Sequence, residues 1–166
     1  MPSSSSIVAA DPARPSLAVA AALEFLSFRL GTDYGIDILA VQEIRGHEVP
    51  TRMPGTAASV QGVLNLRGTI VPIVDLRQLL GLEPVALGPS TVTIILHLGQ
   101  RWLGLVVDAV NDVVALEPDR IQPVPPLDAN RSPFVTRVAT QHADGAASTL
   151  LLLDTQRLVD ATLAAH

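Results

Sequence analysis

The sequence predicts a mostly β protein, built as two related β subdomains with short helices. Three observations carry that reading. Apolar runs rich in β-branched residues alternate with turn residues at short spacing. Apolar stripes of helical period are scarce. Two stretches of the chain also resemble each other in order and spacing.

The elements follow in order. Residues 1–21, opening "MPSSSSIVAADPARPS", are expected to form a disordered tail, because Ser, Pro and Ala offer little to bury. The apolar stretch Leu17 to Leu23 is short and follows Asp11 and Arg14. It reads as tail entering a strand and not as a signal peptide. Leu23 to Leu30 (LEFLSFRL) is a strand with Leu26, Phe28 and Leu30 on one face, and "GTD" turns it. Tyr34 to Ile44 continues as strand with a bend. "RGHEVPTRMPG" is a connection, and "TAASVQG" suits a helical turn. Gly62 to Val74 is a hairpin. Asp75 then suits an N-cap, "LRQLL" a short helix and Gly81 its stop.

The chain then repeats itself. "FLSFRLGTDYGIDILAVQEI" (Phe25 to Ile44) aligns with "TIILHLGQRWLGLVVDAVNDV" (Thr93 to Val113). Gly31 falls on Gly99, Tyr34 on Trp102, Gly35 on Gly104 after one extra residue, and Glu43 on Asp112. "VPIVDLRQLL" (Val71 to Leu80) aligns with "LLLLDTQRLV" (Leu150 to Val159), so Asp75 and Asp154 are matched structural caps. The expected subdomains are 22–88 and 89–166, with strand exchange between them allowed. One difference stands out. "GVLNLRG" leads directly into the last strand of the first copy, where the second has the longer, polar "PFVTRVATQHADGAAST". Shared features are architectural; "NLRG", present once, is the better functional candidate.

Composition narrows the chemistry. The chain has 166 residues, 48% of them hydrophobic and only 16% charged, with net charge -5. A surface poor in charge favours protein contacts. There is no lysine: all 11 basic residues are arginines, scattered along the chain. P-loop and Schiff-base lysines are excluded, and no basic stripe points to nucleic acid. With no cysteine, thiolate metal sites, disulfides and cysteine nucleophiles are excluded too. No apolar run reaches the roughly 18 residues of a membrane span.

An enzyme reading finds no support. G-x-S-x-G and H-E-x-x-H are absent. His47, His97, His142 and His166 are isolated, and His97 reads as an outward-facing strand residue. Asp108 and Asp112 suit surface solvation better than a metal pair. No glycine run cradles a phosphate, and no metal or cofactor is expected.

The stretch "GVLNLRGTIVPIVDLR" poses the sharper question, since an arginine lies near the middle of an apolar run. A Gly68–Thr69 turn would pair Arg67 with Ile70 and put Pro72 at a hydrogen-bonded site, losing a ladder bond. A four-residue loop from Arg67 to Ile70, closed by Leu66 and Val71, avoids that loss. It puts Arg67 at the hairpin tip. There Arg67 either pairs with Glu43 of "VQEIRG", fixing two elements together, or meets a partner.

These residues carry a resemblance. "FLSFRLGTDYGIDILAVQEIRG", "VQGVLNLRGTIVPIVDLR" and "LGQRWLGLVVDAVNDVV" resemble the CheW family of chemotaxis coupling proteins, from about Phe25 to Leu158. The resemblance implies two SH3-like five-stranded β-barrels side by side and a non-enzymatic adaptor without cofactor. Its implied partners are the cytoplasmic tip of methyl-accepting chemoreceptors and the regulatory domain of the histidine kinase CheA. The implied setting is cytoplasmic, at receptor arrays on the inner face of the membrane, without insertion into it. The protein would be a monomer in isolation and part of a larger array in the cell. One implied contact is barrel to barrel with the kinase; the other is a groove between subdomains that takes a receptor helix.

By position, the implied partner-binding residues are Ile38, Val41, Glu43, Gly62, Asn65, Arg67, Gly68 and Ile70. Asp75, Asp154 and Pro72 are implied or read as structural. The Ala-rich end "DATLAAH" departs from a long carboxy-terminal helix, and "TQHADGAAST" is expected to be a variable loop. Two other readings stay open: a CheW-like adaptor of another receptor–kinase pathway such as surface motility, and a small-molecule-binding β-barrel.

Overall fold

A computed structural model describes residues 22–56, 59–124, 132–143 and 145–163. The disordered-tail expectation for residues 1–21 lies outside them. The described chain is mostly strand. It runs β1 (Leu23–Leu30), β2 (Thr32–Asp37), a 3-10 turn (Ile38–Ala40), β3 (Val41–Gly46), β4 (Val60–Leu66), β5 (Thr69–Asp75) and α1 (Leu76–Leu79). The second half runs β6 (Val92–Leu98), β7 (Arg101–Val107), β8 (Ala109–Leu116), a 3-10 turn (Pro118–Arg120), β9 (Ile121–Pro123), β10 (Val135–Ala143), β11 (Ala146–Leu153) and α2 (Thr155–Leu163). No helix among the described residues is long and apolar enough to cross a membrane.

The strands form two curled sheets of SH3-like type. One has the order β9-β10-β11-β2-β1-β8, the other β3-β6-β7-β5-β4. The first sheet thus has six strands and not five, because β9 adds three residues along β10. Each sheet draws strands from both halves of the chain, and the exchange is reciprocal. β1 and β2 sit with β8 to β11, while β6 and β7 sit with β3 to β5. The bend expected after Tyr34 is the 3-10 turn, where Asp37 caps with its carboxylate on the Leu39 amide at 2.9 Å. That turn carries the chain from the first sheet to the second.

Burial follows the alternation of side chains along the strands. Leu26, Phe28 and Leu30 of β1 meet Ile94, Leu96, Leu103 and Leu105 of the second sheet in the main core between the sheets. Phe25, on the opposite face of β1, joins Leu116, Ala139, Leu150 and Leu152 inside the first sheet. Leu66, Val71, Ile73, Ile95 and Val106 fill the second. Truncating one such fully buried aliphatic side chain costs about 2–5 kcal/mol.

Asp75 accepts from the Gln78 amide at 3.4 Å and so opens α1. Asp154 accepts from the Arg157 amide at 3.1 Å and opens α2. Three local expectations need correction. In "TAASVQG", Val60 to Gly62 are the start of β4 and not a helical turn; residues 57 and 58 are outside the described set. "TQHADGAAST" is not an open loop. Its described residues are paired strand, from Thr140↔Thr149 to Ala143↔Ala146, because small polar side chains suit an exposed hairpin. Asp108 is not simply solvated. Its carboxylate takes Arg77 Nε at 2.9 Å and Nη2 at 2.5 Å.

Candidate functional site: the β4–β5 hairpin tip and edge strand β3

The hairpin register decides where Arg67 stands. Leu66 pairs with Thr69, Asn65 with Ile70, Leu64 with Val71 and Val63 with Pro72. The turn is therefore the two residues Arg67–Gly68, and both sequence-derived turns, which share the Leu66–Val71 pairing, are corrected. The physical reason is backbone conformation. Arg67 has φ 53° and Gly68 φ 91°, the double positive φ of a type I′ turn. Glycine enters that region freely; an arginine pays about 1–2 kcal/mol for it. The Asn65 side chain offsets part of this by accepting from the Gly68 amide at 2.8 Å. Pro72 still avoids a hydrogen-bonded ladder site. Val63 directs its N–H and C=O away from Pro72, to Thr51 at 2.8 and 2.9 Å. Pro72 thus occupies a non-hydrogen-bonded position, where its missing N–H costs nothing.

Those Thr51–Val63 bonds also close the second sheet. β3 and β4 are its two edges, and the chain leaving β3 returns through Thr51 to β4. Gly62 is what permits the approach: a β-carbon there would clash with the Thr51 carbonyl. Gly62 therefore serves barrel closure.

Arg67 adds a second link across the same seam. Its Nη2 lies 2.5 Å from Glu43 Oε1, on the opposite edge strand and 24 residues away in sequence. The contact is single and not a two-toothed fork. The other Glu43 oxygen takes Arg45 Nη1 at 3.2 Å, and Arg45 Nη2 takes Glu48 at 2.7 Å. Glu43 and Arg45 are two apart on a strand and so share a face. Hydrogen bonds from Arg67 and then Arg45 hold the Glu43 carboxyl below the usual carboxylate range, against a smaller opposing effect of desolvation. The Arg67 side chain is 69% exposed and that of Glu43 only 24%. The glutamate is the fixed member and the arginine the presented one.

The other candidates fall into place around this pair. Asn65, Gly68 and Ile70 sit at the hairpin tip with Arg67, and Ile70 is exposed. Ile38 and Val41 lie where the chain crosses between sheets, half-buried against the main core. The eight residues are thus a tip cluster with Glu43, a crossing-point pair, and Gly62 at the seam. Sequence reasoning missed Arg45 and Glu48, although the alternation in "EIRGHE" was the available signal. It also missed Leu39, which stands 88% exposed on the 3-10 turn. His97, expected to face outward alone, stacks on the cross-strand Trp102 with ring centroids 3.9 Å apart. Among the described residues no three His, Asp or Glu side chains converge as a metal site would need.

Comparison with known proteins agrees with this architecture. The family model described as "CheW-like domain" matches residues 24–163. The chain is 43% identical to the chemotaxis protein CheW of Klebsiella aerogenes over 141 residues, covering 82% of this chain and 81% of that protein. It is 40% identical to the chemotaxis protein CheW of Rhizobium meliloti over 105 residues, 63% of this chain and 68% of that one. The crystal structure of the scaffolding protein TtCheW from Thermoanaerobacter tengcongensis superposes with a TM-score of 0.71 at 28% identity, covering 80% of this chain and 89% of that one. Sequence and fold thus converge, and the chain belongs to the CheW-like family of non-enzymatic chemotaxis scaffold proteins.

Proposed function

We propose that the protein couples the cytoplasmic tips of methyl-accepting chemoreceptors to the regulatory domain of the histidine kinase CheA, within arrays on the cytoplasmic face of the membrane. The observation that carries this is the hairpin tip: a 69% exposed Arg67 beside an exposed Ile70, anchored through Glu43 to the opposite sheet edge. An apolar side chain supplies contact area, while a charge held in fixed geometry sets register and rate more than affinity. The residues at this surface are Glu43, Asn65, Arg67, Gly68 and Ile70.

A second surface suits a helix. A hollow of about 380 Å³ is lined by Tyr34, Leu80, Leu82, Val135, Val138 and Leu151, between the first sheet and the end of α1. Ile38 and Val41 mark the crossing between the sheets. An amphipathic receptor helix laid along such an apolar surface buries its own stripe.

The test is Arg67→Ala, assayed by far-UV circular dichroism and by pull-down with a receptor tip fragment and the kinase regulatory domain. Weakened capture with an unchanged spectrum is expected. Lost structure, with undiminished capture by the folded fraction, would make Arg67 a purely structural residue and contradict the docking role.

A further inference from the structure

Arg45 has no assigned role, yet it holds the second oxygen of the one carboxylate that anchors the hairpin tip. Glu43 is bonded on both sides, by Arg67 at 2.5 Å and by Arg45 at 3.2 Å. The two arginines differ in freedom. Arg45 lies on the same strand as Glu43 with its side chain 27% exposed, and Glu48 holds its far nitrogen at 2.7 Å. Arg67 is 69% exposed, and among the described residues its guanidinium has no partner besides Glu43.

We propose that Arg45 is a reserve partner for Glu43, which lets Arg67 leave Glu43 and pair with a carboxylate on the docking protein. Breaking an ion pair is costly chiefly when it strands the partner charge in a partly desolvated place. Here departure of Arg67 strands nothing, because the Glu43 carboxylate keeps Arg45. Arg45 already sits in contact and needs no rearrangement to take over. The surface so exposed recognises an acidic side chain next to an apolar one, since Ile70 stands 56% exposed at the same tip. The partner half of this inference rests on the adaptor reading; the reserve pairing does not.

Two measurements test it. The first uses the isolated protein and follows the Glu43 side-chain carboxyl by carbon-13 NMR across an acid titration. In Arg67→Ala the carboxyl is expected to titrate still below the ordinary glutamate range, returning to that range only when Arg45→Gln is added. Return to the ordinary range in Arg67→Ala alone would overturn the reserve pairing.

The second measures binding of the kinase regulatory domain and of a receptor tip fragment by calorimetry. Arg45→Gln is expected to weaken one of these by about two- to fivefold, the scale of an exposed ion pair. Arg45→Lys should restore most of it, and Glu48→Gln, which leaves Arg45 to Glu43 alone, should not weaken it. In the Arg67→Ala background Arg45→Gln should have no further effect. Equal weakening in both backgrounds would overturn the exchange. If the parent protein binds neither partner, the adaptor reading and the exchange with a partner both fail, while the titration alone decides the reserve pairing.

Discussion

Gly35 lies opposite Leu152 on the neighbouring parallel strand, and a β-carbon on it would come within 2.9 Å of the leucine's Cδ2. The relationship recurs in the other sheet. Gly104 lies opposite Ile73, and its β-carbon would come within 2.5 Å of Ile73 Cδ1. Gly35 aligns with Gly104 in the sequence repeat, and Ile73 with Leu152. Each glycine of one half therefore makes room for the aliphatic residue of the other. The sequence repeat and the reciprocal strand exchange meet in these four residues. Gly35→Ala and Gly104→Ala are each expected to lose about 1–3 kcal/mol by overpacking, read as a shift of the urea midpoint at unchanged slope.

The two motif glycines should behave differently. Gly62→Ala forces a β-carbon into the Thr51 backbone, which cannot yield as a side chain can. A loss above about 2 kcal/mol is expected, on the scale of a forced backbone shift. Gly68 has open space around it and only its φ of 91° to satisfy. Gly68→Ala should cost about 1 kcal/mol. Thermal unfolding of the two variants side by side checks the order.

Arg77 clasps the two halves together. It rises from α1 and forks onto Asp108 at the β7–β8 junction, while its third nitrogen donates to the Glu83 carbonyl at 2.8 Å. Its side chain is only 13% exposed. Lysine has the charge without the fork, so Arg77→Lys should lose about 1–2 kcal/mol. Denaturant unfolding measures this, and Asp108→Asn should show non-additivity with it in a double-mutant cycle.

Glu43 should leave a signature in the acid limb of stability. Its folded-state carboxyl is held low by Arg67 and Arg45. A group depressed in the folded state contributes stability above its unfolded pKa of about 4.3, and the contribution fades as pH falls through the folded value. Glu43→Gln should therefore be less stable than the parent at neutral pH, with the gap closing below about pH 4. Unfolding midpoints measured at several pH values between neutral and acid check this sign.

Much of this was legible because it depends on local chemistry. Alternation placed Leu26, Phe28 and Leu30 on the core face, and the Asp–helix–Gly pattern marked α1. The match of Asp75 with Asp154 marked the repeat. Pro72 rightly marked a non-hydrogen-bonded site, since the absence of one N–H constrains which sites it occupies, but the four-residue loop inferred from it was the wrong turn. What escaped depended on conformation or distance. A non-glycine residue at φ 53° shifted the hairpin register, and nothing local in "NLRG" announces that an arginine will accept the strain. The Asp108–Arg77 pair spans 31 residues in sequence, so Asp108 read alone as a solvated surface group. The sixth strand of the first sheet is three residues long and too short to carry a pattern.

The proposed coupling requires this chain to join two proteins through two separate surfaces. The most direct measurement immobilises the kinase regulatory domain and asks whether a receptor tip fragment is retained. Retention only when this protein is added, and reduced retention with Arg67→Ala, is the predicted result. A receptor fragment retained equally without it, or not retained although the protein itself is captured, would contradict the account.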